Sequence, residues 1–363
     1  MGVKPKHIAI ICNYELLESR VGGMDYFFWA FNKKCRENQI KIDWFFPNMA
    51  SHGDYGTFHI IPTETISLEQ NFIHYIKTEN LQYSHIITHF VELCTSFFAD
   101  IRKCQTSKII VVDHNPRPLV GYSLKKRIKK RIKGALYSKH INQFIGVSDY
   151  TRKAILQDFG SFLELKTHTI YNGVLIDSII PKTTERRTEN PKFLVVSHLR
   201  FSKGIQDLIE AVNVLPTNLK SNLEITLYGD GPYKSELLQL VSKYDLESNF
   251  YFQGSHSSIN ELYQNFDYLV QPTHMECFSL SILESLAANI PVITTPVGGN
   301  LEVITHDKNG FVFETKNSRE LSELLNSIMK GKKGIVGNTR TLIENKFSID
   351  RMVKKHFELI NNN

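Results

Sequence analysis

PKFLVVSHLRFSKGIQDLIEAVNVLPTNLKSNLEITLYGDGPY, residues 191–233, is the stretch on which the fold turns. Phe193–Ser197 is a short apolar run and predicts a strand, and Gly204–Val214 then places apolar residues at helical spacing. Leu223–Tyr228 predicts a second strand, ended by a glycine-rich turn before a helix over Tyr233–Tyr244. Strands joined through a helix rather than a tight turn run parallel. Downstream, strands are expected at Phe250–Gln253, Tyr268–Gln271, Pro291–Thr295 and Phe311–Phe313. Helices are expected at Ile259–Asn265, Ser279–Ala288, Arg319–Met329 and Ile349–Ile360. Upstream, His7–Cys12, Ile40–Phe46, His85–Thr88, Lys108–Val112 and Gln143–Val147 read as strands, and Met24–Asn32 and Ser148–Phe159 as helices. Pro181–Lys192, polar and bracketed by prolines, is the expected linker. The expectation is an α/β protein of two Rossmann-like domains, residues 1–180 and 190–347, facing each other across a cleft. Many enzymes share that architecture, so function has to come from particular residues.

Composition narrows the classes. The 363 residues are 42% apolar and 22% charged, and no apolar stretch approaches the ~18 residues of a membrane-spanning helix. The N-terminus reads as a first strand and not as a signal peptide. Five scattered cysteines without Cys-x-x-Cys spacing indicate neither a disulfide framework nor a zinc site, and a cytoplasmic setting is expected. No Asp-x-Asp, His-Glu-x-x-His or P-loop signature occurs, so neither a metal nor another cofactor is expected. The net charge of +6 is concentrated in KKRIKKRIK, Lys125–Lys133, where seven of nine residues are basic. Leu124, Ile128, Ile132, Ala135 and Leu136 line one side of that helix. Two readings stay open: a helix lying on an anionic membrane surface, or a surface helix packing its apolar side on the domain. Nucleic acid is disfavoured because no aromatic residue interleaves the charges.

Individual motifs sharpen the picture. In Ser279–Ala288, Glu284 shares a stripe with Leu280, Leu283 and Ala287, and a buried carboxylate needs a partner. That partner is either an unseen Lys or Arg, or ligand hydroxyls such as those of a ribose. SHLRFSKG offers His198, Arg200 and Lys203 at the carboxyl end of a strand, where ligands of parallel sheets bind and a diphosphate needs charge. The YGDGP turn, with Gly229, Asp230 and Gly231, is either only a turn or the wall of a base pocket. Gly22-Gly23 opens a helix and is either a tight turn or an approach for an anion. His114, in DHNPRP, again follows a strand.

Taken together, these motifs resemble the retaining GT-B glycosyltransferases, the group 1 family that includes phosphatidylinositol mannosyltransferases and many capsule and lipopolysaccharide enzymes. Glu276 and Glu284, in THMECFSLSILESLAANIPVITTPVGGNLEVI, match the family's Glu-x7-Glu region. VSHLRFSKG and YGDGP precede it, and NGFVFETKNSRELSELL follows. The resemblance implies a GT-B fold whose last helix, 349–361, packs back on the first domain. It implies that Glu284 binds the donor ribose, Glu276 the transferred sugar, and Lys203 the diphosphate. Backbone amides around Cys277, Phe278, Ser279 and Leu280 would hold sugar hydroxyls or phosphate, Gly22 and Gly23 would approach the phosphates, and His114 would touch the sugar. His198 stands where the family usually has a phosphate-binding Arg, and Cys277-Phe278-Ser279 replaces the usual Gly-Phe-Gly.

The resulting expectation is a retaining, metal-independent transfer from a nucleoside-diphosphate sugar, UDP-linked, to a saccharide or lipid-linked glycan in capsule, O-antigen or other surface-glycan synthesis. The protein would sit in the cytoplasm and peripherally on the inner membrane face. A non-catalytic glycan-binding partner of another transferase, and epimerisation or phosphorolysis at the same site, are the rival readings.

Overall fold

The computed structural model describes residues 6–63, 67–186, 189–256 and 258–361. The chain divides into two compact units: one runs to Asn172 and resumes at Ile349, the other spans Gly173–Ser348.

The first unit is built on seven parallel strands: β1 (His7–Cys12), β2 (Lys41–Phe46), β3 (Ile60–Pro62), β4 (His85–His89), β5 (Lys108–Asp113), β6 (Gln143–Gly146) and β7 (Thr167–Thr169). Their order is β3-β2-β1-β4-β5-β6-β7, so the chain works outward from β1, then returns to the other side at β4. Strands buried on both faces need unbroken apolar runs, which is why β1 and β2 are buried along nearly their whole length. The helix Gly23–Glu37 covers one face through Phe27, Phe28, Phe31 and Cys35. The C-terminal helix Ile349–Asn361 packs beside it in the same unit, burying Met352, Val353, His356 and Ile360.

The second unit repeats the scheme with six parallel strands: β8 (Phe193–Val196), β9 (Ile225–Tyr228), β10 (Phe250–Gly254), β11 (Tyr268–Gln271), β12 (Val292–Thr294) and β13 (Gly310–Val312), ordered β10-β9-β8-β11-β12-β13. Leu208, Ile209 and Val212 of the helix Ile205–Asn213 pack with Leu321, Leu325 and Ile328 of the helix Ser318–Met329 in one core. The described parts of the segment read as a linker, 181–186 and 189–192, belong to this unit, and residues 187 and 188 lie outside the described residues. The Lys182 N–H donates to the Ala288 carbonyl at 2.8 Å, and Arg186 donates to the carbonyls of Ile335 and Asn289. The chain passes between units at Asn172–Gly173 and Ser348–Ile349 instead.

Three histidines are buried together in the first unit. His89 Nδ1 and His114 Nε2 lie 3.0 Å apart, and the His356 ring is 6.0 Å from that of His89. Burial disfavours the imidazolium, pushing His114 down to about 3, His356 down to about 4, and His89 well below the ordinary value. An unfolded histidine titrates near ~6.5, so the unfolded chain takes up protons first on acidification. Stability present above that pH is therefore lost as pH falls toward 4. Urea midpoints should drop between pH 7 and pH 5. In a His356→Leu variant the slope should shrink by up to one proton, about 1.4 kcal/mol per pH unit. An unchanged slope would remove His356 from the account.

Candidate functional site

In the second unit the chain leaves β8 for one side of the sheet and resumes at β11 on the other, so the loops after these neighbours diverge and leave room at their carboxyl ends. The loop after β8 carries His198, Arg200 and Lys203 and turns at Gly204. The φ of Gly204 is +70°, and a Cβ there would lie 1.8 Å from the Pro272 carbonyl oxygen. Only glycine tolerates both conditions. The Ser202 carbonyl accepts from the His274 N–H at 2.8 Å and from Thr273 Oγ1 at 3.3 Å. His274 Nε2 in turn lies 2.5 Å from Asp207, in the first turn of the helix Ile205–Asn213. This bracing delivers Lys203 Nζ to Glu276 Oε2 at 2.8 Å. The other oxygen of Glu276 accepts from the Cys277 N–H at 3.1 Å. From the β12 side, a Cβ on Gly298 (φ +64°) would meet the Glu276 carbonyl at 2.3 Å, and the Gly299 N–H donates to the Cys277 carbonyl at 3.0 Å.

The helix Leu280–Ala287 starts from Ser279, whose Oγ accepts from the Ile282 N–H at 3.4 Å and from Gln271 Nε2 at 2.5 Å. Its first turn aims amide groups out of the sheet end, the arrangement that attracts anions. Glu284 lies one turn further, and its Oε2 accepts a 2.9 Å hydrogen bond from Tyr263 Oη. Its partner is a hydroxyl rather than an unseen Lys or Arg. Burial raises the carboxyl above its usual range, and the Tyr263 bond pulls it partly back. Phe278 is buried with its ring 5.6 Å from that of Phe347. The YGDGP turn is zipped to the β8 loop: Leu199 N–H donates to the Asp230 carbonyl and Tyr233 N–H to the Leu199 carbonyl, both at 3.0 Å. Asp230 is exposed; the Gly231 N–H and Lys234, with exposed His198 nearby, hold its carboxyl below the ordinary range. One sheet end thus gathers His198, Lys203, Gly229–Gly231, Glu276–Leu280 and Glu284.

Gly22, Gly23 and His114 belong to the first unit, near the corresponding switch between β1 and β4. The Gly22 N–H is held by Asp25 Oδ2 at 2.9 Å. Asp25 is buried and also accepts from Tyr14 Oη at 2.9 Å and Tyr55 Oη at 2.6 Å. The protein's own carboxylate therefore occupies part of this helix start, while a side chain on Gly22 would meet nothing within 4 Å. His114 stacks on Phe90 with ring centres 4.2 Å apart.

Sequence reasoning missed Asp207, His274, Tyr263 and Gln271. Asp207 stands four residues beyond Lys203 and His274 two before Glu276, so their nearness to the singled-out residues was a usable signal. Nothing local ties Tyr263 to Glu284.

Residues 177–347 match the family model described as glycosyl transferases group 1. N-acetyl-alpha-D-glucosaminyl L-malate synthase of Bacillus anthracis is 31% identical over 144 residues, 39% of this chain and 37% of that protein. Lipopolysaccharide glucosyltransferase WaaG of Escherichia coli is 34% identical over 125 residues, 34% of this chain and 33% of that protein. The matched stretches thus span about a third of these relatives' length. Among solved structures, Anabaena HepE in complex with UDP-glucose superposes with a TM-score of 0.77 at 18% identity, covering 98% of this chain and all of that one (100%). The lipopolysaccharide outer core galactosyltransferase WaaB gives 0.72 at 16% identity, covering 98% and 99%. At such identities the likeness is one of fold, the GT-B fold of two parallel-sheet α/β domains. The family match is confined to residues 177–347, which lie within the second unit.

The loop brace predicts a specific sensitivity. Gly204→Ala adds a left-handed penalty of about 1–2 kcal/mol to the clash with Pro272, so a stability loss of about 2 kcal/mol or more is expected in urea titration. Wild-type stability in that variant would show that the contact does not constrain the loops.

Proposed function

We propose that the chain transfers a sugar from a UDP-linked donor to a saccharide hydroxyl, with retention, in the synthesis of a bacterial surface glycan. The observation that carries this reading is the placement of Lys203, Glu276 and Glu284 together at the switch point of a group 1 domain. In this reading the ribose hydroxyls donate to Glu284, which is already oriented by Tyr263. Glu276 accepts from hydroxyls of the transferred sugar. Lys203 and the first-turn amides of the helix Leu280–Ala287 meet the charge that develops on the departing diphosphate, so no divalent metal is required. A leaving-group oxygen takes the acceptor proton on the same face of the sugar, which gives retention without a separate general base. HepE, named above for its complex with UDP-glucose, supports the donor class by analogy.

A second reading, a non-catalytic glycan-binding partner, draws on His198 standing where the family usually has Arg. The two separate on nucleotide release. Purified protein is expected to release free nucleotide from one of a panel of UDP-, GDP-, TDP- and ADP-sugars, and to do so undiminished in EDTA. Release should vanish in Glu284→Ala and fall about 10²–10³-fold in kcat in Lys203→Ala, the scale for losing one charge-stabilising donor. A folded protein that neither releases nucleotide nor gains thermal stability from any donor would favour the binding partner.

A further inference from the structure

The basic helix Leu124–Tyr137 sits on the first unit the wrong way round for an ordinary amphipathic helix. Leu124, Ile128, Ile132 and Leu136 follow at i, i+4 spacing and are 70%, 52%, 54% and 53% exposed. The side turned to the protein carries lysines and a glycine instead. Lys130 Nζ reaches Asp158 at 2.8 Å and Lys133 Nζ reaches Glu92 at 2.6 Å. Lys126 and Lys130 lie 4.2 Å and 4.5 Å from the centre of the Tyr122 ring. At Gly134 the helix crosses so closely that a Cβ would fall 2.1 Å from the Phe159 carbonyl oxygen. The reading in which the apolar side packs on the domain is therefore wrong: the protein covers the other side.

We propose that this outward stripe docks on an anionic lipid surface, with the helix lying along the membrane plane. Charge decides the occupant. Among the described residues, only Lys130 and Lys133 of the seven basic side chains between 125 and 133 form ion pairs. Lys125, Arg127, Lys129 and Arg131 remain around the stripe with no carboxylate paired to them among the described residues. A recess of about 310 Å³ beside the helix is lined by Ser123, Glu92 and five of its lysines, a setting for phosphate headgroups. Leu119 and Val120, just before the helix, are exposed as well. Apolar side chains level with the acyl boundary and cations level with the headgroups is the pattern of an interfacial helix. A second copy of the chain would bring like charges face to face, and a nucleic acid would leave the Leu/Ile stripe in water.

Co-sedimentation of the full chain with vesicles of phosphatidylcholine, with and without phosphatidylglycerol, tests this. Binding is expected on the anionic vesicles, at least tenfold weaker on the neutral ones, and weakened by high salt. Ile128→Ser with Ile132→Ser should cut it about tenfold or more at unchanged thermal stability, since both residues are exposed. Lys125→Gln with Lys129→Gln should weaken it independently of any effect of the serine variant on folding. Equal binding to both vesicle types, or no binding at low salt, would overturn the proposal. So would a dimer in light scattering that the serine substitutions dissolve.

Discussion

The Pro272 carbonyl oxygen occupies the space that a side chain at position 204 would need, and the second unit's site rests on that contact. Because the two backbones can touch there, the Ser202 carbonyl reaches the His274 amide, and His274 reaches Asp207. Lys203 and Glu276 lie seventy-three positions apart in sequence, yet meet because the loops carrying them are pinned at three points. Gly298 closes the assembly from the other side by letting the β12 loop press on the Glu276 backbone. The charged pair is thus held by backbone geometry, and side-chain choice acts within a frame already set.

That frame is the same in both units. Each sheet runs outward from its first strand and resumes on the other side, opening a gap at the carboxyl ends. The units fill the gap differently. The second places a lysine and two carboxylates there, whereas the first places a buried histidine pair and a helix start partly neutralised by Asp25. One sheet end is thus charged and the other nearly neutral.

Periodicity made most of the strands legible, because strands covered on both faces must be continuously apolar. The strands missed, Ile60–Pro62 and Thr167–Thr169, are three-residue edges, one ending on proline and one mostly polar, with too little apolar content to register. The helix Leu68–Thr78 had a readable start in the reciprocal Ser67 and Gln70 cap, which was overlooked. At the site, Glu276, Glu284 and Lys203 could be found from motif order. The partner of Glu284 could not, since Tyr263 approaches from a separate helix through tertiary packing. The basic helix shows the limit most clearly. Spacing separates its two sides but does not say which one faces the protein. Gly134, which lies off the apolar stripe, was the residue that could have told.

The Lys203–Glu276 pair also matches positive with negative charge at this sheet end. A stray phosphate or sulfate gains little from a lysine already matched by a carboxylate, because displacing that carboxylate leaves it stranded half out of water. A ligand that presents an anion to the lysine and hydroxyl donors to the glutamate replaces both halves of the pair at once. Such an arrangement works as a coincidence detector: it rewards the joined molecule over either fragment.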